Sequence, residues 1–296
     1  MTASALQTAS ISRDAMRHGR SVALPTLPGL LLLVAAVTAQ SYVNRLAQAG
    51  GEPVFYWFAM GLVVIFTGSF WSATMYRRLL PEAGTGSALT DAVRLFVANL
   101  AVYSLFFILL FLLTLFFSIF AGVLIDASGY DPAAAGQSPD EVWRSMEALS
   151  SSGAAVILYM LLVVASGALI WLGLRLFLFG PATIAERHVT IFRSWPWTSR
   201  HVARIALLWV SLQLVPWLVL SLIASLLLHA GGMATIISVY AAPPGAADAL
   251  GDVEFAGLTG VAVLILAPFY WLGHGLAVAL YQRLAPTRVD ADMTFG

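Results

Sequence analysis

The sequence predicts an all-α membrane protein, a polytopic bundle of six transmembrane helices with short amphipathic helices on its surface. The first observation is composition: hydrophobic residues make up 60% of the chain, charged residues 10%, and the mean hydropathy is +0.87. An ordinary soluble domain is about 25% charged, so that class is excluded. The second and third observations are six long apolar stretches and an alternating distribution of arginine between them.

Each apolar stretch is close to or above the roughly 18–20 residues that cross a bilayer as a helix. The stretches, called spans one to six below, are Leu27–Val43, Val54–Met75, Phe96–Leu124, Ala154–Leu174, Ile205–Leu228 and Leu258–Leu280. The chain therefore divides into an N-terminal tail (residues 1–20), a membrane domain (21–284) and a C-terminal tail (285–296). Both tails are expected to be loosely ordered.

The arginines predict the orientation of the bundle. All fifteen residues of the Lys and Arg class are arginines, and twelve flank the same ends of the spans. Excess positive charge marks the cytoplasmic side, so both termini are predicted to be cytoplasmic. Arginine without lysine, with abundant alanine, glycine and leucine, is typical of a GC-rich bacterial genome. The expected location is the bacterial inner membrane.

Two loops predict helices that lie on the membrane surface. In the outer loop, Ser138–Leu149 begins with a cap, a proline and an acidic first turn, which is a helix-start pattern. In the inner loop, Ala182–Trp195 places Ile184, Ile191 and Trp195 within about 40° on a helical wheel. We interpret this inner segment as an amphipathic elbow on the cytoplasmic leaflet, joining spans four and five. Another short apolar run, Met233–Tyr240, cannot cross a bilayer about 30 Å thick.

The elbow has two interpretations. It positions spans four and five, or it binds anionic lipid or a partner protein through its arginines. The candidate contact residues are Arg187, Arg193, Trp195, Trp197, Arg200 and Arg204.

Polar residues inside the spans are the other candidates, because such groups are costly in hydrocarbon. They are Asn99, Arg175, Gln213 and His274. His274 is interpreted mainly as a helix–helix hydrogen-bonding residue, and Arg175 as an anchor whose long side chain reaches the interface. Pro216 and Pro268 each remove a helical hydrogen bond close to these groups. The alternative interpretation places Gln213, Pro216, Pro268 and His274 around a midplane cavity of a small transporter or channel.

No pattern of catalytic residues is present. The chain contains no His-Glu-x-x-His, Walker loop or Gly-x-Ser-x-Gly sequence. Cysteine is absent, and His188 and His201 lack a third metal ligand in the sequence around them. We therefore expect no enzymatic activity, no cofactor and no metal. The arginines are spread over membrane-flanking loops, so a nucleic-acid partner is not expected.

One segment resembles a known group of proteins. It comprises Arg175-Leu-Phe-Leu-Phe-Gly-Pro-Ala-Thr-Ile-Ala-Glu186, followed by Phe192-Arg193-Ser194-Trp195 and Thr198-Ser199-Arg200. The segment is similar to a pattern in uncharacterised six-span bacterial inner-membrane proteins, loosely akin to the membrane domain of some glycerophosphodiester phosphodiesterases. The chain lacks the phosphodiesterase catalytic domain, so the resemblance implies an accessory membrane role without that activity.

These observations predict a non-enzymatic membrane protein, either a partner-binding subunit or a lipid-associated scaffold. The expected partners are membrane lipids and another membrane protein. The small transporter or channel is the alternative.

Overall fold

A computed structural model describes residues 8–50, 53–81, 86–127, 153–220 and 251–285, together with residues 147 and 222. Within these ranges the chain is helical apart from short turns and contains no strand. Six helices in this described part of the chain are long and apolar enough to cross a membrane, which confirms the predicted fold class. The chain is a multi-pass integral membrane protein.

The helices are numbered here in chain order. They are α1 (Thr8–Ala23), α2 (Leu27–Gly50), α3 (Pro53–Leu79), α4 (Ala88–Ala127), α5 (Gly153–Leu176), α6 (Phe179–Glu186), α7 (Ser194–Thr198), α8 (Val202–Leu220) and α9 (Asp252–Leu284). The described parts of spans one to six lie in α2, α3, α4, α5, α8 and α9. The predicted outer helix Ser138–Leu149, except Glu147, and the run Met233–Tyr240 lie outside the described residues.

The described residues form two compact units. One contains Ala101–Gly173, which is the second part of α4 and the first part of α5. Its apolar side chains are largely exposed, for example Phe107 at 67% and Val163 at 70%. Such a surface is stable in hydrocarbon, where burial against protein brings little hydrophobic gain. The other unit, Met1–Leu100 with Leu174–Gly296, contains the remaining helices and the buried core.

The N-terminal segment is ordered, so the prediction of a loosely ordered tail is wrong for residues 8–20. They belong to α1, which buries Ile11, Ala15, Gly19 and Val22 on one face. Residues spaced three and four apart share one face of a helix. Polar residues between them hide this short stripe from a search for long apolar runs, and the sequence analysis missed it.

Helix α1 packs on α9 through a backbone contact. A Cβ atom at Gly275 would collide with the carbonyl oxygen of Ala15 and lie 2.9 Å from the Gly19 nitrogen, so only glycine fits without movement. An ion pair of 2.5 Å between Asp14 and Arg283 closes one end of this seam. At its other end, the Trp271 indole donates a hydrogen bond of 3.2 Å to the hydroxyl of Thr26, between α1 and α2.

A buried carboxylate joins α3 to α4. Asp91 is 2% exposed and forms ion pairs with Arg77 of α3 and, at 2.8 Å, with Arg94 of its own helix. Arg77 also donates a hydrogen bond of 2.7 Å to the Gly86 carbonyl, just before α4 begins. The contacts of Arg77 with Asp91 and with the Gly86 carbonyl thus fix the turn between spans two and three.

We predict that Gly275→Ala loosens α1 from α9. The new methyl group would meet backbone atoms that cannot rotate away, and overpacking of this kind costs about 1–3 kcal/mol. The purified variant should unfold at a lower temperature and be cleaved faster by trypsin after the exposed arginines of α1. The matched control is Gly257→Ala in the same helix, where a Cβ atom meets nothing within 4 Å. Equal melting temperatures and cleavage rates for the two variants would contradict the close contact.

We also predict that Asp91→Asn destabilises the bundle by about 3–5 kcal/mol, because it leaves two arginines without their buried counter-charge. Thermal unfolding in detergent measures the effect. Asp252→Asn is the control: Asp252 pairs with Arg45 at 2.9 Å but its side chain is 45% exposed, and exposed pairs contribute about 0–1 kcal/mol. The prediction fails if the two substitutions cost the same.

Candidate functional site

Helix α8 contains a π-helical turn at Val210–Leu214, in the first half of span five. Pro216 lacks an N–H group, so the Leu212 carbonyl cannot receive its normal helical hydrogen bond. A turn widened by one residue is a common response to such a break and is frequent at functional sites. Gln213 lies in this widened turn.

The widened turn borders a cleft between α8 and α9. The cleft has a volume of about 480 Å³, within the roughly 300–1,000 Å³ range of small-molecule sites. None of its described lining residues is an aspartate, a glutamate or an arginine. Six aromatic residues line it: Tyr76, Phe177, Trp209, Trp217, Phe269 and Tyr270.

Gln213 and His274 both line this cleft, as the cavity hypothesis expects, whereas Pro216 and Pro268 do not. The side-chain amide nitrogen of Gln213 donates a hydrogen bond of 3.0 Å to the carbonyl of Phe269 in α9. Gly273, one turn further on, leaves room for this amide, because a Cβ atom there would lie 3.2 Å from the amide nitrogen. The two prolines each remove a helical backbone hydrogen bond, whereas the side chains of Gln213 and His274 line the cleft.

His274 uses both ring nitrogens inside the protein. Nδ1 lies 2.7 Å from the Tyr270 carbonyl and Nε2 lies 2.9 Å from the hydroxyl of Ser72 in α3. The carbonyl can only accept, so Nδ1 donates, and a neutral ring then accepts from Ser72 at Nε2. The Tyr76 ring covers the imidazole at a centroid distance of 4.9 Å. This geometry agrees with a helix–helix hydrogen-bonding role and leaves neither nitrogen poised for acid–base chemistry.

Asn99, the remaining uncharged candidate within the spans, serves the same structural purpose between α4 and α3. Its amide nitrogen donates a hydrogen bond of 2.7 Å to the Ser69 hydroxyl.

Arg175 organises the elbow between α5 and α8. Its side chain, with the residue 9% exposed, donates a hydrogen bond of 3.0 Å to the Trp195 carbonyl and lies 4.6 Å from the centre of the Trp195 ring. Its own carbonyl lies 3.1 Å from the hydroxyls of both Ser194 and Thr198. Arg175 therefore anchors the elbow from within, instead of reaching out to the membrane surface.

The elbow differs from the single helix Ala182–Trp195 in the prediction, which is wrong in its bounds. Helix α6 ends at Glu186, where Arg187 adopts a left-handed conformation (φ 58°), and α7 begins at Ser194. Ile184 is fully buried, and Trp197 packs edge-on against Tyr281 of α9 at 5.8 Å. The apolar face that suggested a membrane-surface helix instead packs against the protein.

The arginines of the elbow fall into two classes. Arg193 forms an ion pair of 2.8 Å with Glu186. Arg200 and Arg204 are exposed and form no ion pair with a described carboxylate. They flank His201, whose pKa is lowered first by partial burial and then by these two charges.

Helix α1 adds exposed arginines that sequence analysis did not place in the site. Arg13, Arg17 and Arg20 lie on its outer face. On its inner face, Ile11 shares a core cluster with Ile205 of α8, so α1 lies beside the start of α8. We call Arg13, Arg17, Arg20, Arg200 and Arg204 the arginine surface. The alternation of arginine and buried residues in α1 was the signal that could have revealed it.

Among the described residues, no group of three His, Asp or Glu side chains is arranged to hold a metal ion. Comparisons of the chain with protein-family models, with curated proteins and with solved structures found no match. The resemblance to six-span bacterial inner-membrane proteins stays a prediction.

We predict a graded response at Arg175. Arg175→Met removes both the hydrogen bond to Trp195 and the stacked cation and should unfold at the lowest temperature. Arg175→Lys keeps the charge but lacks the planar group that stacks and donates in fixed directions, so it should be intermediate. Trypsin cleavage in the elbow, after Arg187 and Arg193, should accelerate in the same order. A lysine variant as stable as the parent would show that charge alone is sufficient.

Proposed function

We propose that this protein is a non-enzymatic component of the bacterial inner membrane that associates with anionic lipid headgroups through its arginine surface. The observation that carries the proposal is that five exposed arginines on α1 and near the start of α8 form no ion pair with a described carboxylate. Near an anionic leaflet, each such residue contributes about 1 kcal/mol of attraction. In this proposal both termini and the arginine surface are cytoplasmic, as the arginine distribution favours.

The pairing pattern of the other arginines supports this assignment. Arg77, Arg94, Arg193 and Arg283 all have carboxylate partners. Arg45, at the opposite end of α2, pairs with Asp252 and lies over the Phe255 ring. Arg78, at the end of α3, is also exposed and forms no ion pair with a described carboxylate. Exposed arginines of this kind suit an external anionic partner. A partner protein with an acidic segment is the competing occupant, and the lipid measurement below separates the two.

We expect the double substitution Arg200→Gln with Arg204→Gln to weaken phosphatidylglycerol binding about thirtyfold, the equivalent of about 2 kcal/mol. Titration of the purified protein with short-chain phosphatidylglycerol, with phosphatidylcholine as the uncharged reference, measures the effect. Arg45→Gln is the control, since it removes the same charge from the other end. Arg193→Gln should have a smaller effect because Glu186 already balances that charge.

Equal affinity for phosphatidylglycerol and phosphatidylcholine, or an unchanged affinity in the double variant, would overturn lipid association. Salt provides a second test, since the attraction between exposed charges is screened within about 8 Å at physiological ionic strength.

We expect phosphatidylglycerol binding to strengthen as pH falls. The pKa of His201 is lowered in the free protein by partial burial and by Arg204 and Arg200. A bound anionic headgroup offsets those positive charges and raises the pKa, so the complex takes up a proton that the free protein lacks. Affinity measured between pH 8 and pH 5 should rise towards the acid end, and His201→Gln should reduce that rise. A variant with the full pH dependence would exclude His201 as its source.

A small transporter or channel is the second candidate function, and the α8–α9 cleft favours it. Helices distorted by proline around a few polar groups are typical of substrate sites within membranes. Uptake of uncharged solutes into liposomes that contain the protein would test this function independently of the arginine surface.

A further inference from the structure

The α8–α9 cleft offers one hydrogen-bonding position that the protein does not satisfy itself. The Gln213 amide nitrogen must face the Phe269 carbonyl, because two acceptors would repel each other. The amide oxygen, Oε1, receives no hydrogen bond from a described residue, while both nitrogens of His274 are engaged. Oε1 is therefore an acceptor without a donor among the described residues, and it lies within span five.

The lining limits what can supply the donor. No described lining residue carries an acidic or guanidinium group that would neutralise a charged headgroup, and burying an unpaired charge is very costly. Six of the twelve described lining residues are aromatic, which favours a long apolar or unsaturated chain. Because ten of its twelve described lining residues belong to spans five and six, the membrane is the natural source of its ligand.

We propose that the α8–α9 cleft binds an uncharged lipid whose hydroxyl group donates a hydrogen bond to Oε1 of Gln213, with its apolar chain along the aromatic wall. Diacylglycerols and polyprenols share this chemistry. The inference rests on the cleft and does not require the arginine surface to bind lipid. It deepens the transporter alternative by naming a class of ligand.

The first experiment compares ligands on the unaltered full-length protein in nanodiscs of phosphatidylcholine, with native mass spectrometry as the readout. The probes are dioleoylglycerol and farnesol, which carry a free hydroxyl, and trioleoylglycerol, which does not. Dioleoylphosphatidylglycerol is the anionic probe. We expect one molecule of a hydroxyl-bearing probe to be retained, in preference to trioleoylglycerol. Retention of dioleoylglycerol alone, or of farnesol alone, identifies the source of the lipid.

The second experiment uses substitutions in the protein. Gln213→Leu has nearly the same volume and removes the acceptor, so binding of the retained probe should weaken about three- to tenfold, the value of one hydrogen bond. Gln40→Leu is the matched control, another partly buried glutamine in span one, outside the cleft lining. Gly273→Ala should also weaken binding, because its methyl group would press on the Gln213 amide.

The proposal is overturned if trioleoylglycerol is retained as well as dioleoylglycerol, if neither hydroxyl-bearing probe is retained, or if Gln213→Leu binds like Gln40→Leu. The ligand comparison needs no variant, so it decides the question even if Gln213→Leu fails to fold. Loss of phosphatidylglycerol binding in the arginine variants, with dioleoylglycerol binding intact, would separate this site from the arginine surface. Unchanged phosphatidylglycerol binding in the arginine variants, with dioleoylglycerol binding intact, would refute the arginine surface and leave the cleft.

Discussion

The contact between the backbones of α1 and α9 is the constraint on which the packing of α1, α8 and α9 depends. Gly275 allows the two helices to approach until the Ala15 carbonyl touches the turn of α9 beside His274. That approach brings Arg283 to Asp14 and buries Leu276 and Leu280 with α8. In a membrane, where apolar burial between helices brings little hydrophobic gain, close van der Waals packing of this kind is a principal source of helix association. Helix α9 forms one side of the α8–α9 cleft, and α1, which carries three residues of the arginine surface, packs against α9.

The arginines of the described residues have three kinds of environment. Asp91 pairs with two arginines at once, one at each carboxylate oxygen, and these charge-assisted hydrogen bonds offset the cost of burying the carboxylate. Arg175 contacts the backbone carbonyl and the ring of Trp195. The side chains of the arginine surface are exposed and form no ion pair with a described carboxylate.

The number and type of the spans could be predicted from sequence because bilayer thickness imposes a length that apolar runs reveal directly. Helix α1 escaped prediction, since four buried residues among arginines carry a weak signal and their partner, Gly275, lies far along the chain. The elbow was misread for a related reason: Ile184 and Trp195 do form an apolar face, but periodicity does not say whether protein or lipid covers it. Gln213 and His274 were found as polar residues within spans, whereas the aromatic wall around them depends on tertiary contacts between α3, α8 and α9.

The π-helical turn at Val210–Leu214 also has a consequence for comparing this chain with its evolutionary relatives. A π turn closes its hydrogen bonds over five residues instead of four, so the helix absorbs one additional residue without ending. Such a turn is the structural trace expected of a single-residue insertion into an ancestral α-helix. A descendant of that ancestor without the insertion should align to this chain with a gap of one residue close to Gln213. Its proline, if retained, would then stand one position nearer to the start of the helix in sequence, yet at the same height in the membrane.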